Sequence, residues 1–293
     1  MNLVLTVLEI VAPVFLLAAV GFTWVKLGFE YRVEFVTRLA MTLSVPCLIF
    51  TALMKTQIDP QALTTLSLAA FAAYAAVAAL TLTLVALAGV DRRTYLAPLI
   101  FGNTGNMGLP LALFAFGEIG LGYAVVVFAV MAILSFTIGV WLVSGGGSPL
   151  KVVKEPLVAA TALGGIFLWQ GWQTPTFLTN TLELIGQMAI PVMLITLGVA
   201  VARLKASHLS LSLWLSLAKV AVCVGAAWGV GRWFGLAPEP FAVLVLQVST
   251  PVAVTSYLLA EKYEADSEAV AGLVVVSTLL SVATIPLTLA FLI

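Results

Sequence analysis

Charge is scarce in this sequence. Lysine and arginine number 13, aspartate and glutamate 13, together 9% of 293 residues, where a soluble domain carries about a quarter. So few charges cannot cover a water-soluble protein of this length, which implies that lipid replaces water over most of the surface. The net charge is zero, so nothing points to nucleic acid or to an acidic macromolecular partner. With one histidine and two cysteines, the chain cannot assemble a zinc site or a disulfide framework. No metal or other cofactor is expected, and no enzyme: an intramembrane enzyme would need a nucleophile with its base, or a metal cluster. Cys47 and Cys223 lie inside apolar runs and read as inert buried thiols. Lys or Arg is missing before Lys26, so the basic start of a cleaved signal peptide is lacking and residues 1–25 read as a membrane span. Acidic residues are missing from the middle of every apolar run; Glu9, Glu183 and Glu261 lie toward the ends.

What is present is apolar sequence, 62% of the chain. A span needs about 20 such residues, and the charged and Gly/Pro-rich interruptions leave ten segments: 3–25, 33–53, 63–88, 94–115, 119–143, 155–172, 180–201, 209–233, 240–260 and 268–292. The expected fold class is therefore an all-α polytopic membrane protein. Among the nine connections, the odd ones hold Lys26, Arg32, Arg38, Arg92, Arg93, Lys151, Lys154, Arg203, Lys205 and Lys262, and the even ones only Lys55 and Arg232. Basic residues gather on the cytoplasmic side, so the odd connections are expected there and both termini outside, in the cell (inner) membrane.

The chain also repeats itself. Pro13 and Gly21 match Pro156 and Gly164, Pro46 and Thr51 match Pro191 and Thr196, and Pro110 matches Pro251, with proline offsets of 143, 145 and 141. Five spans per half place the second half upside down relative to the first, an inverted repeat. The halves are residues 1–143 and 155–293, joined by a cytoplasmic linker, 144–154, that opens on Ser144-Gly145-Gly146-Gly147-Ser148-Pro149.

Two stretches are poor helix at membrane depth. The fourth span contains Gly102-Asn103-Thr104-Gly105-Asn106-Met107-Gly108-Leu109-Pro110, and the ninth Gln247-Val248-Ser249-Thr250-Pro251. Proline removes a backbone donor and clashes with the preceding turn, and backbone freed in this way is tolerated only against protein or a wet cavity. Two broken helices meeting near the midplane would present two positive half-helix ends, each worth about 0.3–2 kcal/mol toward an anion. A small carboxylate is the natural guest. Asn103, Thr104, Asn106, Gln247, Ser249 and Thr250 could donate to its oxygens without adding charge, while Gly105, Pro110 and Pro251 shape the breaks.

Asn103 to Leu111 resembles the fourth-span signature of the auxin efflux carrier family, in its bacterial branch, and Thr250 to Glu261 resembles the ninth-span signature. The resemblance covers essentially the whole chain. It implies crossing helices at spans 4 and 9, a scaffold of spans 1, 2, 6 and 7, and a transport domain of spans 3–5 and 8–10 that moves like an elevator. It further implies a homodimer through the scaffold and a small organic anion as cargo, auxin-like or malate/malonate-like. A long hydrophilic central loop, as in the plant members, is absent, and span 9 has no asparagine matching Asn103.

Lys219, well inside the eighth span, is the one ionisable residue at depth. A central lysine costs about 2.5–3.5 kcal/mol; it either serves coupling or structure there, or snorkels to the cytoplasmic face. A sodium-coupled symporter of the bile-acid type stays open as the alternative, since Ser, Thr, Asn and carbonyl oxygens suffice for sodium.

Overall fold

The computed structural model describes residues 3–55, 58–145, 156–204 and 207–293. Among them the chain is all-helical, with no strand and one isolated antiparallel bridge. Most of the linker, together with Lys151, Lys154 and Lys205, lies outside the described residues.

Among the described residues, seven helical stretches are long and apolar enough to cross a membrane: Leu5–Lys26, Val33–Lys55, Gln61–Ala88, Thr104–Ser144, Thr176–Arg203, Leu209–Trp233 and Ser267–Leu292. The count falls short of ten for physical reasons. Thr104–Ser144 is 41 residues long but turns at Gly117, whose left-handed φ of 65° leaves the helical region. The expected spans 4 and 9 are divided into short helices, and the sixth is a helix of 15 residues.

The first third of the chain forms α1 (Leu3–Lys26), α2 (Val33–Leu39), α3 (Val45–Lys55), α4 (Pro60–Ala88) and α5 (Arg92–Ile100). Next come α6 (Leu109–Leu134) and α7 (Val140–Ser144). The second part holds α8 (Pro156–Gln170), α9 (Thr176–Gln187), α10 (Ala189–Arg203), α11 (Leu209–Trp233), α12 (Pro238–Val248), α13 (Val254–Lys262) and α14 (Ser267–Leu292). Three π-helical turns, Ala40–Ser44, Thr104–Gly108 and Ser135–Gly139, join α2 to α3, lead into α6 and join α6 to α7.

Helix starts follow from local chemistry. Asp59 accepts from the Gln61 amide at 3.1 Å and Pro60 opens α4; Asp91 accepts from the Thr94 amide at 2.8 Å to open α5. Hydrogen bonding from Thr94 holds the Asp91 carboxyl below the ordinary carboxylate range. These caps satisfy amides that the first turn leaves without partners.

The most extensive packing falls in two groups, which meet where α1 packs on α6 and α14 and α3 on α6. One holds α1 against α10 and α3 against α8 and α9, with α2 and the Ala40–Ser44 turn on α10. The other gathers α4, α5, α6, α11, α12 and α14, with α13 on α14. Small residues set the approach in the first group, as expected where lipid supplies no hydrophobic drive. A side chain at Gly198 would meet the Ala18 carbonyl carbon at 2.6 Å and the Phe22 amide at 2.9 Å, so α1 and α10 touch through their backbones. Arg93 fastens the second group at one end, donating through Nε to the Val143 carbonyl at 2.6 Å and through its guanidinium to the Tyr263 carbonyl.

Gly198→Leu is expected to destabilise the protein by about 1–3 kcal/mol through overpacking, read as a lower thermal midpoint in detergent. Gly165→Leu, at a glycine with nothing within 4 Å of an added Cβ, is expected to leave the midpoint unchanged.

Candidate functional site

The fourth-span break begins where α5 runs out. Ile100 ends the helix, Phe101 is extended (φ −95°, ψ 123°) and Asn103 sits at φ −84°, ψ 52°. Thr104–Gly108 then forms a π-helical turn before α6. Pro110 is not where the helix breaks: the Thr104–Gly108 turn runs on into α6 in helical conformation, and Pro110 lies two residues into α6, downstream of the non-helical residues. In the ninth span, α12 ends at Val248 and α13 begins at Val254, with Thr250 to Ala253 non-helical between them.

The breaks satisfy one another. Gly102 and Val252 form the antiparallel bridge, and the Asn103 amide donates to the Pro251 carbonyl at 2.7 Å. The Val252 amide donates to Ser277 Oγ of α14 at 3.0 Å. Gly102 allows this approach, since an added Cβ would run into the Thr250 side chain and carbonyl. Gly108 does the same for Gln247, whose amide carbon would lie 2.8 Å from a Cβ there.

Beside this junction is a cavity of about 80 Å³. Gly102, Asn103, Gly105 and Asn106 line it from one break, and Ala253, Val254 and Thr255 from the other. The first turns leading into α6 and α13 thus both reach it, and first-turn amides have no partner within their own helix. The remaining wall comes from Phe128, Met131, Ser135 and Phe136, and from Thr37, Met41 and Met193 of the first packing group. Asn103 is 4% exposed and its Nδ2 has no hydrogen-bond partner. Such a buried donor costs about 1–3 kcal/mol unless something accepts from it.

Of the residues singled out in the sequence, Asn103, Gly105 and Asn106 line the cavity, whereas Thr104, Pro110, Gln247, Ser249, Thr250 and Pro251 do not. Ser249 and Thr250 are spent on capping α12: their hydroxyls donate to the Leu246 carbonyl at 3.1 Å and the Gln247 carbonyl at 2.7 Å. Thr104 and Gln247 are fully buried, and Thr104 Oγ1 and both polar atoms of the Gln247 amide are unpartnered. Lys219 is 3% exposed and does not snorkel; its Nζ donates to the Leu99 carbonyl at 2.9 Å. The aromatic and methionine wall carried no signal in the sequence, because such residues are ordinary in any apolar span. Ser135, a hydroxyl inside an apolar stretch, was the legible hint.

A larger cavity, about 720 Å³, opens between α3, α6, α9 and α10. Its charged lining includes Glu118 and the Lys55–Glu183 ion pair. Neither break contributes to it.

The family profile described as "Membrane transport protein" matches residues 6–161 and 141–289. An uncharacterized transporter of Methanocaldococcus jannaschii is 26% identical over 202 residues, 64% of each chain. A Rhizobium meliloti protein named "Putative malonate transporter" is 25% identical over 199 residues, 63% of this chain and 62% of that one. The chain thus spans less than two thirds of the length of these two relatives. An uncharacterized transporter of Methanothermobacter thermautotrophicus is 25% identical over 299 residues, 95% of this chain and 96% of its own. With the family profile matched along nearly its entire length, the chain belongs to the membrane transport protein family, that of the auxin efflux carriers.

Proposed function

We propose that the protein is a secondary transporter of a small organic anion, held at the junction of the two breaks and moved by elevator-type alternating access. One observation carries the reading: the first turns of two helices and the unpartnered, buried Asn103 amide converge on a single cavity. Helix N-termini favour anions, and Asn103 and Asn106 add neutral donors. The cavity is small, about 80 Å³, which favours a short-chain acid. A relative named for malonate supports the same class.

The moving parts follow the packing. The group of α1, α3, α8, α9 and α10 corresponds to spans 1, 2, 6 and 7, and the group around α11 and α14 to spans 3–5 and 8–10. Ten spans result when Thr104–Ser144 is divided at Gly117, α8 is counted, and α12 and α13 are taken as one interrupted span. Pairing α1 with α10 and α3 with α8 is the pattern an inverted repeat generates, because spans 1 and 2 of one half then meet spans 7 and 6 of the other. Cytoplasmic odd connections, external termini in the cell membrane and a scaffold-mediated homodimer complete the proposal. Lys26→Cys is expected to react with an impermeant maleimide only from the cytoplasmic side, and Gln173→Cys only from outside; the reverse pattern would invert the topology.

Sodium coupling is the second reading, favoured by the unpartnered buried oxygens of Thr104, Gln247 and Thr278. Uptake into proteoliposomes that is unchanged when choline replaces sodium would remove it.

A thermal-shift screen of the purified protein against mono- and dicarboxylates is expected to single out short acids. Asn103→Ala and Asn106→Ala should each cost about 1.5–3 kcal/mol of binding, tenfold or more in Kd, with elution profile and midpoint retained. Unaltered affinity in both variants would place the site elsewhere.

A further inference from the structure

Lys219 stands ten residues past the first residue of α11, in the body of the helix. Its Nζ lies 2.9 Å from the Leu99 carbonyl and 3.9 Å from Cys223 Sγ. Among the described residues no carboxylate pairs with it: the ion pairs are Arg32–Glu30, Arg38–Glu34 and Lys55–Glu183. Its acceptors are the carbonyl end of α5, whose last turn includes Leu99, and the Cys223 sulfur.

Capping does not explain a charge at this place. The other interrupted helix, α12, has its last carbonyls met by two neutral hydroxyls, Ser249 and Thr250. The three proline offsets of 143, 145 and 141 put the counterpart of Lys219 at Ala76, Tyr74 or Ala78, all of them uncharged. A cation therefore enters one half and not the other, although neutral groups finish a broken helix adequately. An uncompensated buried charge is costly unless an opposite charge comes within reach. The cavity supplies the place for one: Asn103 follows Leu99 by four residues, at most about 14 Å of chain, and in a dry interior attraction is weakly screened over such a distance.

We propose that Lys219 is the resident counter-charge of the transported anion, riding in the same moving body as the cavity and offsetting one elementary charge of the cargo. The proposal rests on the anion-carrier reading above. α11 packs on α14, α4 and α12, within the group that holds both breaks. Lys219 touches no cargo; it acts on the cavity through α5, which makes it a positioning residue by charge. The empty body then carries a net positive charge across the membrane field, and the same body loaded with a dianion carries a net negative one.

The test uses the full chain reconstituted in proteoliposomes and malonate, doubly charged at neutral pH, as the probe. In the wild type, voltage steps should drive a charge movement without substrate, and saturating malonate should reverse its sign. Lys219→Met should abolish the movement of the empty protein, roughly double that of the loaded protein, and weaken malonate binding about tenfold or more. Lys219→Arg should restore the wild-type signs. A folded Lys219→Met protein with wild-type affinity and unchanged charge movement would overturn the proposal. Should that variant fail to fold, the wild type alone decides: an electrically silent empty protein beside a malonate-loaded one that moves charge overturns it. Failure of the wild type to bind malonate or any other short acid would instead overturn the carrier reading, and this proposal with it.

Discussion

The hydrogen bond from the Asn103 amide to the Pro251 carbonyl, 2.7 Å long, answers the constraint that governs the rest of this structure. Inside a bilayer every backbone donor and acceptor must find a partner in the protein, and a helix interrupted at depth leaves several without one. Here two interruptions from opposite ends of the chain supply each other, through a single bridge between Gly102 and Val252. Ser277, Ser249 and Thr250 take up groups that the bridge cannot reach. Once the breaks are closed against each other, the turns leading into α6 and α13 lie beside them and border the cavity.

Polar residues near this junction therefore divide by whether the backbone has already claimed them. Ser249 and Thr250 are claimed, and the charge on Lys219 is directed at a carbonyl. Asn103, Thr104 and Gln247 are not, and an unpartnered buried amide is informative because native interiors rarely tolerate one. Only Asn103 of these three faces the cavity, so the chemistry of the two breaks is unequal despite their similar backbone roles.

Much of this was legible in the sequence, for identifiable reasons. Scarce charge and long apolar runs imposed a helical membrane fold, and clustered Gly, Asn and Pro marked both interruptions. Local composition could not reveal where each interruption falls. Pro110 is accommodated within the helical run from Thr104 into α6, and the non-helical residues lie upstream of it, at Phe101 to Asn103, with a π-helical turn intervening. Whether a hydroxyl has a local partner also depends on rotamer and neighbour, which is why nothing in the sequence signals that Ser249 and Thr250 donate to the Leu246 and Gln247 carbonyls. The partner of Lys219 lies on a helix far away in the chain, and an apolar sequence around Leu99 gives no sign that one of its carbonyls receives a cation.

The cavity wall has two origins, and that division has a mechanical consequence. Gly102, Asn103, Asn106, Val254 and Thr255 belong to elements fastened to each other, whereas Thr37, Met41 and Met193 belong to the group packed around the glycine contact of α1 and α10. A sliding motion of one group along the other would leave the donor geometry intact and strip away the thioether and threonine face. Under the elevator motion proposed above, a ligand would travel in an undistorted cradle and exchange only its cover, so its escape would be set by how tightly two methionines and a threonine seal the opening.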